Sequence, residues 1–280
     1  MTPFDDAHFP TPDQTKNPNL SHSPPLTDTM QVVMRIGILM LRSGTVSFRV
    51  EQAMQRATIA LGADHLDSYV TLSGITASIH KNNEHYTQIA RIQSIGVDMN
   101  RLSNVERLSQ TISPSTSPVE LATTLDQIEQ LPPVYPLRFR VIAVALACGA
   151  FALLNGGGLI EFGAAAFGAG IGQMVQIYLK GIQLHSIAIT ILCATTATLM
   201  CHVALSGLAA IGILSQSIQP AFLSAVIFLV PGMALVTASL DLIRFDILSG
   251  IVRASYALMQ MFGVAIGILL ATPLIDRSIF

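Results

Sequence analysis

The sequence predicts an α-helical polytopic membrane bundle of about five transmembrane helices, preceded by a small α+β cytoplasmic N-terminal domain. Three observations predict it. Hydrophobic residues make up 51% of the 280 and charged residues only 11%, with a mean hydropathy of +0.57, too apolar for an ordinary soluble domain. The charges are segregated: residues 1–140 hold 11 of the 15 Lys+Arg and 13 of the 17 Asp+Glu. Beyond that point Asp, Glu, Lys and Arg are absent from Val141 to Ile160, from Phe162 to Leu179, across the 60 residues from Gly181 to Leu240, and from Ala254 to Ile275. About 20 apolar residues suffice to cross a bilayer core.

Residues 1–27, rich in Pro, Ser, Thr and Asp, lack the basic and apolar regions of a signal peptide and are expected to be a disordered tail. The cytoplasmic domain is expected over 28–137. Asp28 can cap a helix whose apolar residues keep a helical rhythm until Gly62, either as one helix or as two joined near Gly44. Alternation then predicts three short antiparallel strands, in Tyr69–Leu72, Ile75–His80 and Gln88–Ile95, with the polar run Lys81–Glu84 between the last two. Asp98 caps the next helix, and Ser117-Pro118-Val119-Glu120 is a capping box with Pro at the first helical position. Arg35, Arg42, Arg49 and Arg56 recur every seven residues. Such a stripe reads as a solvated helix face or, more sharply, as a cationic lining that concentrates carboxylate substrates.

The transmembrane domain is expected over 138–280, with helices near 139–156, 159–179, 184–208, 219–240 and 250–272. Placing the soluble domain inside puts Arg138, Arg140, Lys180, Arg244 and Arg253 on the cytoplasmic side and only Arg277 outside. Lys and Arg resist translocation, so the carboxyl terminus is expected to be extracytoplasmic, in a multi-pass protein of the cytoplasmic (inner) membrane. The second helix carries small residues four apart, Ala166 with Gly170 and Gly168 with Gly172, which allow close helix packing.

Polar groups inside such helices are the candidates for a transport path: Glu161, Gln173, Gln176, Thr195, His202, Thr237, Asp241, Asp246 and Arg253. Thr190, Thr196 and Thr198 accompany them, and threonines often bond only to their own helix. Glu161 reads equally as an interfacial or a functional carboxylate, and His202 as a hydrogen-bonded residue or a proton carrier. Pro231-Gly232 falls in mid-helix and predicts a kink or an unwound turn, whose freed carbonyls can line a solute site. Asp241 and Arg253 can neutralise each other.

Other classes have little support. The net charge of −2 gives no basic field for nucleic acid. Cys148, Cys193 and Cys201 have no C-x-x-C spacing and read as packing residues. No P-loop, nucleophile elbow or H-E-x-x-H is present, so no enzyme, metal or cofactor is expected, and coupling to the proton motive force is left open.

Leu41-Arg-Ser-Gly-Thr-Val-Ser-Phe-Arg-Val-Glu51, which contains Arg42, Ser43, Gly44, Arg49 and Glu51, resembles a soluble-domain signature of the threonine/serine exporter family. Gly96–Ser109 is similar to its second soluble motif. Pro132–Pro136, Phe151–Gly158, Val230–Leu235 and the series Asp241, Asp246, Gly250 and Arg253 follow in the family's order. The resemblance covers residues 30 to 272, of amino-terminal-half type. It implies export of threonine, serine and related small solutes, with split forms linked to dicarboxylates such as succinate. It also implies a second five-helix membrane subunit, or a self-dimer, to complete the bundle. Leu240 and Ala238 depart from the Arg and Asn that the pattern leads one to expect there. A membrane-anchored binding or sensor module is the competing reading.

Overall fold

The computed structural model describes residues 25–275 apart from 93–95, 115, 183, 214 and 216. The expected tail up to residue 24, the end of the third expected strand at Ile95, and Arg277 lie outside the described residues. The chain divides into two compact units, Met1–Leu131 and Pro132–Phe280.

The first unit is built around one helix. α1 (Leu26–Arg42) buries Val32, Val33, Met34, Ile36, Ile38, Leu39, Met40 and Leu41, so apolar groups surround it on nearly every side. A short helix that is apolar all round belongs in a core. α2 (Ser47–Ala60), the strands β1 (His65–Thr71), β2 (Gly74–Lys81) and β3 (Glu84–Arg91), and the helices α3 (Met99–Thr111) and α4 (Pro118–Glu129) enclose it. Asp28 does not cap α1 as expected. Pro25 takes the cap position, and Asp28 sits in the first turn, where a carboxylate still complements the helix dipole.

The sheet is antiparallel in the order β1-β2-β3. β1 starts at His65, before the expected Tyr69, and β3 is displaced towards the amino terminus from the expected Gln88–Ile95. The reason is the turn. Asn82 and Asn83 both adopt positive φ (49° and 78°), so Lys81 pairs directly with Glu84 across a two-residue hairpin. Asp98 and Ser117 accept the Arg101 and Glu120 amide N–H groups and cap α3 and α4.

The second unit holds α5 (Leu137–Leu154), α6 (Leu159–Gly181), α7 (Ser186–Ala210), α8 (Gln219–Ala225), α9 (Gly232–Ile243) and α10 (Ile247–Ala271). Four helical stretches, Leu137–Leu154, Leu159–Gly181, Ser186–Ala210 and Ile247–Leu274, are long and apolar enough to cross a membrane. The fourth expected span is not one helix. α8 passes through a 3-10 turn at Ile227–Leu229, and the pair Gln219–Leu229 and Gly232–Ile243 is bent by 62°.

α7 is the hub of this unit. On one side a Cβ added at Gly168 of α6 would lie 2.5 Å from the Ala197 carbonyl, and one at Gly172 would lie 2.9 Å from the Ala197 Cβ. On the other side a Cβ at Gly267 of α10 would lie 2.5 Å from the Ala194 Cβ. Glycine on both flanks lets three backbones approach more closely than any side chain would permit. Gly168 and Gly172, paired by their spacing, are therefore contacts to α7, whereas Gly170 faces Ala145 of α5. The pairing of Thr190 with Gln260 and of Thr195 with Gly267 shows that α7 and α10 run in the same direction.

Candidate transport site

The α9–α10 hairpin joins the two charges that sequence spacing only placed near each other. Phe245 takes the left-handed conformation (φ 65°), its N–H bonds the Leu242 carbonyl, and the Asp246 N–H bonds the Asp241 carbonyl. The helices then close tightly, since a Cβ on Gly250 would come within 2.6 Å of Leu242 Cγ and 3.1 Å of the Ala238 carbonyl. Asp241 and Arg253 meet across this contact with Arg253 Nε 2.8 Å from Asp241 Oδ2, at 0% and 3% side-chain exposure. Arg253 Nη2 is buried and makes no hydrogen bond among the described residues. Ser249 is buried beside the pair on the same helix. Two opposite charges held away from water in apolar helices cost several kcal/mol in desolvation, which their mutual attraction offsets only in good geometry.

The other expected candidates separate into distinct places. Thr237, one turn before Asp241, is buried and returns its hydroxyl to the Met233 and Ala234 carbonyls. Asp246 is half-buried at the start of α10. Of the two departures from the family pattern, Ala238 is buried and its carbonyl faces Gly250, whereas Leu240 is exposed. At the break, Val230 is extended and Pro231 carries no N–H to continue the ladder, so α9 begins afresh at Gly232. The Phe228 backbone N–H beside the break donates to the Cys148 sulfur from α5.

Glu161 and His202 lie at the opposite end of the bundle. The Glu161 side chain is 2% exposed, accepts the Gly158 N–H at 2.7 Å and the Ser215 hydroxyl, and so ties the α5–α6 turn to the chain leading into α8. His202 Nε2 lies 3.3 Å from Ser206 Oγ, with its ring stacked near Phe222. Gln173 is buried on α6 and Gln176 half-buried one turn on. Thr196 and Thr198 bond only to carbonyls of their own helix, whereas Thr195 also reaches the Gly267 carbonyl at 3.0 Å.

In the first unit the two soluble motifs pack against each other. The Gly96 N–H bonds the Arg42 carbonyl, the Asp98 N–H bonds the Ser43 carbonyl, and a Cβ on Gly44 (φ +90°) would lie 2.7 Å from the Gly96 carbonyl. Three arginines of the seven-residue stripe are absorbed here too. Arg35 pairs with Asp126 and Glu129, Arg49 forks onto both oxygens of Glu106, and Arg56 donates to Ser109. These arginines bind α1 and α2 to α3 and α4, a role that seven-residue spacing alone does not reveal. Glu51 and Arg56 border a groove of about 490 Å³ between α2 and β1.

Gln260, absent from the candidates above, is 7% exposed on the face of α10 that carries Arg253. Its signal was available: it is the sole glutamine in the charge-free run from Ala254 to Ile275, seven residues after Arg253. Among the described residues no group of three or more His, Cys, Asp or Glu is arranged to hold a metal ion.

The chain is 24% identical over 246 residues to a Klebsiella aerogenes protein named probable succinate transporter subunit YjjP, covering 86% of this chain and 92% of that one. The protein of the same name from Escherichia coli K12 is 24% identical over 254 residues, 88% of this chain and 95% of that one. The threonine/serine exporter of Corynebacterium glutamicum is 28% identical over 153 residues, 53% of this chain and 31% of the longer relative. No solved structure matches the chain. The family model for the threonine/serine exporter (ThrE) matches residues 31–275, through both units and the whole α9–α10 hairpin, and the chain belongs to that family.

Proposed function

We propose that this chain is one half of a secondary transporter that exports small amino acids of the threonine/serine kind, with the Asp241–Arg253 pair on the solute path. The buried pair carries the reading. A zwitterionic amino acid brings one carboxylate and one ammonium group, and it can replace each member of the pair by a like charge without leaving the other uncompensated. The Pro231 break beside the hairpin allows α9 to move relative to α8. The name of the two bacterial relatives, a transporter subunit, supports a second membrane subunit as partner.

A second reading has an observation of its own, because the relatives that align over most of this chain are named for succinate. Succinate would engage Arg253 with one carboxylate and set its other negative charge in the same site as Asp241, which disfavours it electrostatically.

Efflux from loaded cells separates these readings. Threonine, serine and succinate are compared in cells expressing this chain alone or with a co-expressed second subunit. Threonine or serine efflux is expected, and Asp241→Asn or Arg253→Gln should lower it at least tenfold at equal membrane abundance. Wild-type efflux from Arg253→Gln removes the pair from the path, and succinate efflux without amino-acid efflux selects the second reading.

A further inference from the structure

We infer that Gln260, with Thr190, Ser186 and Tyr256, forms a recognition site for a solute hydroxyl, so that the path selects β-hydroxy amino acids over their deoxy analogues. Four polar side chains from two helices converge there. Gln260 Nε2 donates to Ser186 Oγ at 2.7 Å and to Tyr256 Oη at 3.0 Å, while its Oε1 lies 2.5 Å from the Thr190 hydroxyl. Ser186 and Tyr256 also lie 3.2 Å apart, and the Thr190 hydroxyl sits 3.1 Å from the Ser186 carbonyl.

The cluster has a buried end and an open end. Gln260 and Thr190 are 7% and 6% exposed, whereas Tyr256 is 44% exposed and Ser186 is exposed at the start of α7. Both amide hydrogens of Gln260 are thus spent on hydroxyl groups at the open end, and a solute hydroxyl can take the place of either one. An incoming hydroxyl both accepts and donates, so it satisfies the amide without leaving a buried group unpaired. A deoxy solute that displaces the same hydroxyl offers only C–H in its place and leaves the amide unpaired, at a cost of about 1–3 kcal/mol.

Position links the cluster to the charged pair. Gln260 follows Arg253 by seven residues on one buried face of α10, about 10 Å along the axis, with Tyr256 between them. A solute released from Arg253 along this face meets the hydroxyl cluster next. Helix adhesion alone also explains a buried glutamine, and selectivity is the readout that adhesion leaves unmoved.

The inference rests on the amino-acid export reading. The test measures efflux of serine and alanine, which differ by one hydroxyl, from cells expressing the full chain with its second subunit. Wild type should favour serine by about tenfold or more. Gln260→Leu should bring the ratio close to unity while alanine efflux persists. Should Gln260→Leu fail to reach the membrane, Thr190→Val and Tyr256→Phe carry the same test, each with a smaller fall in the ratio. Serine and alanine efflux falling together, with the ratio kept, overturns the inference and leaves the export reading standing. A wild type that exports neither amino acid overturns both.

Discussion

Glycine 44 illustrates how much one residue can hold. It turns the chain between α1 and α2 at φ +90°, and a Cβ would press to 2.7 Å of the Gly96 carbonyl. Strain and collision act together, so Gly44→Ala should cost about 2 kcal/mol or more of the first unit's stability, read as a lower midpoint of thermal unfolding. At Asp241 and Arg253 the logic is electrostatic. Removing one partner strands a buried charge at a cost of roughly 3–5 kcal/mol, whereas removing both strands none. Asp241→Asn with Arg253→Gln should therefore recover more folded protein in the membrane than Arg253→Gln with Asp241 intact, as gel-filtration yield would show, and still fail to export. Both residues were visible as intramembrane charges able to neutralise each other; the direct contact itself depends on the Phe245 turn and on the absence of a side chain at Gly250.

At the scale of the element, α7 is pinned from two sides by glycines. Gly267→Ala should lower the yield of folded protein, because the new methyl meets Ala194 and the Ile191 carbonyl at 2.5 and 2.6 Å. Gly163→Ala should leave it unchanged, since no atom lies within 4 Å of the added Cβ. The four unbroken spans were legible as charge-free runs, and the break at Pro231 followed from a missing N–H. The size of the bend was not legible, since it is set by how α8 packs among α5, α6 and α7 while α9 packs chiefly on α10. Likewise the third strand was displaced because two asparagines in the left-handed conformation shorten a loop that composition alone makes look longer.

For the whole molecule, successive spans alternate in direction, so Arg138, Arg140, Lys180 and Arg244 share the end of the bundle at which α10 begins. We propose that this end is cytoplasmic. A cysteine placed in the α5–α6 turn, as Asn155→Cys, should react with an impermeant thiol reagent in intact cells, and one at the α6–α7 turn, as Leu184→Cys, only after lysis; the reverse pattern inverts the assignment. α5 and α9 expose Phe139, Ile142, Leu146, Val236 and Ile243, surfaces that lipid or a second subunit can cover. Efflux with and without that subunit measures whether the bundle works alone.

Readable along the chain alone were the segregation of charge between its halves, the number of hydrophobic runs, the family resemblance and the residue types able to meet a charged solute. These follow from local quantities: hydropathy, charge and spacing along the chain. The tertiary structure alone decided which of them meet. It paired Asp241 with Arg253, spent Glu161 on a turn, bound Arg35, Arg49 and Arg56 to α3 and α4, and gathered Gln260 with Thr190, Ser186 and Tyr256. Each of these is a contact between segments remote in sequence or on the far side of a turn, fixed by close packing that no one-dimensional pattern records.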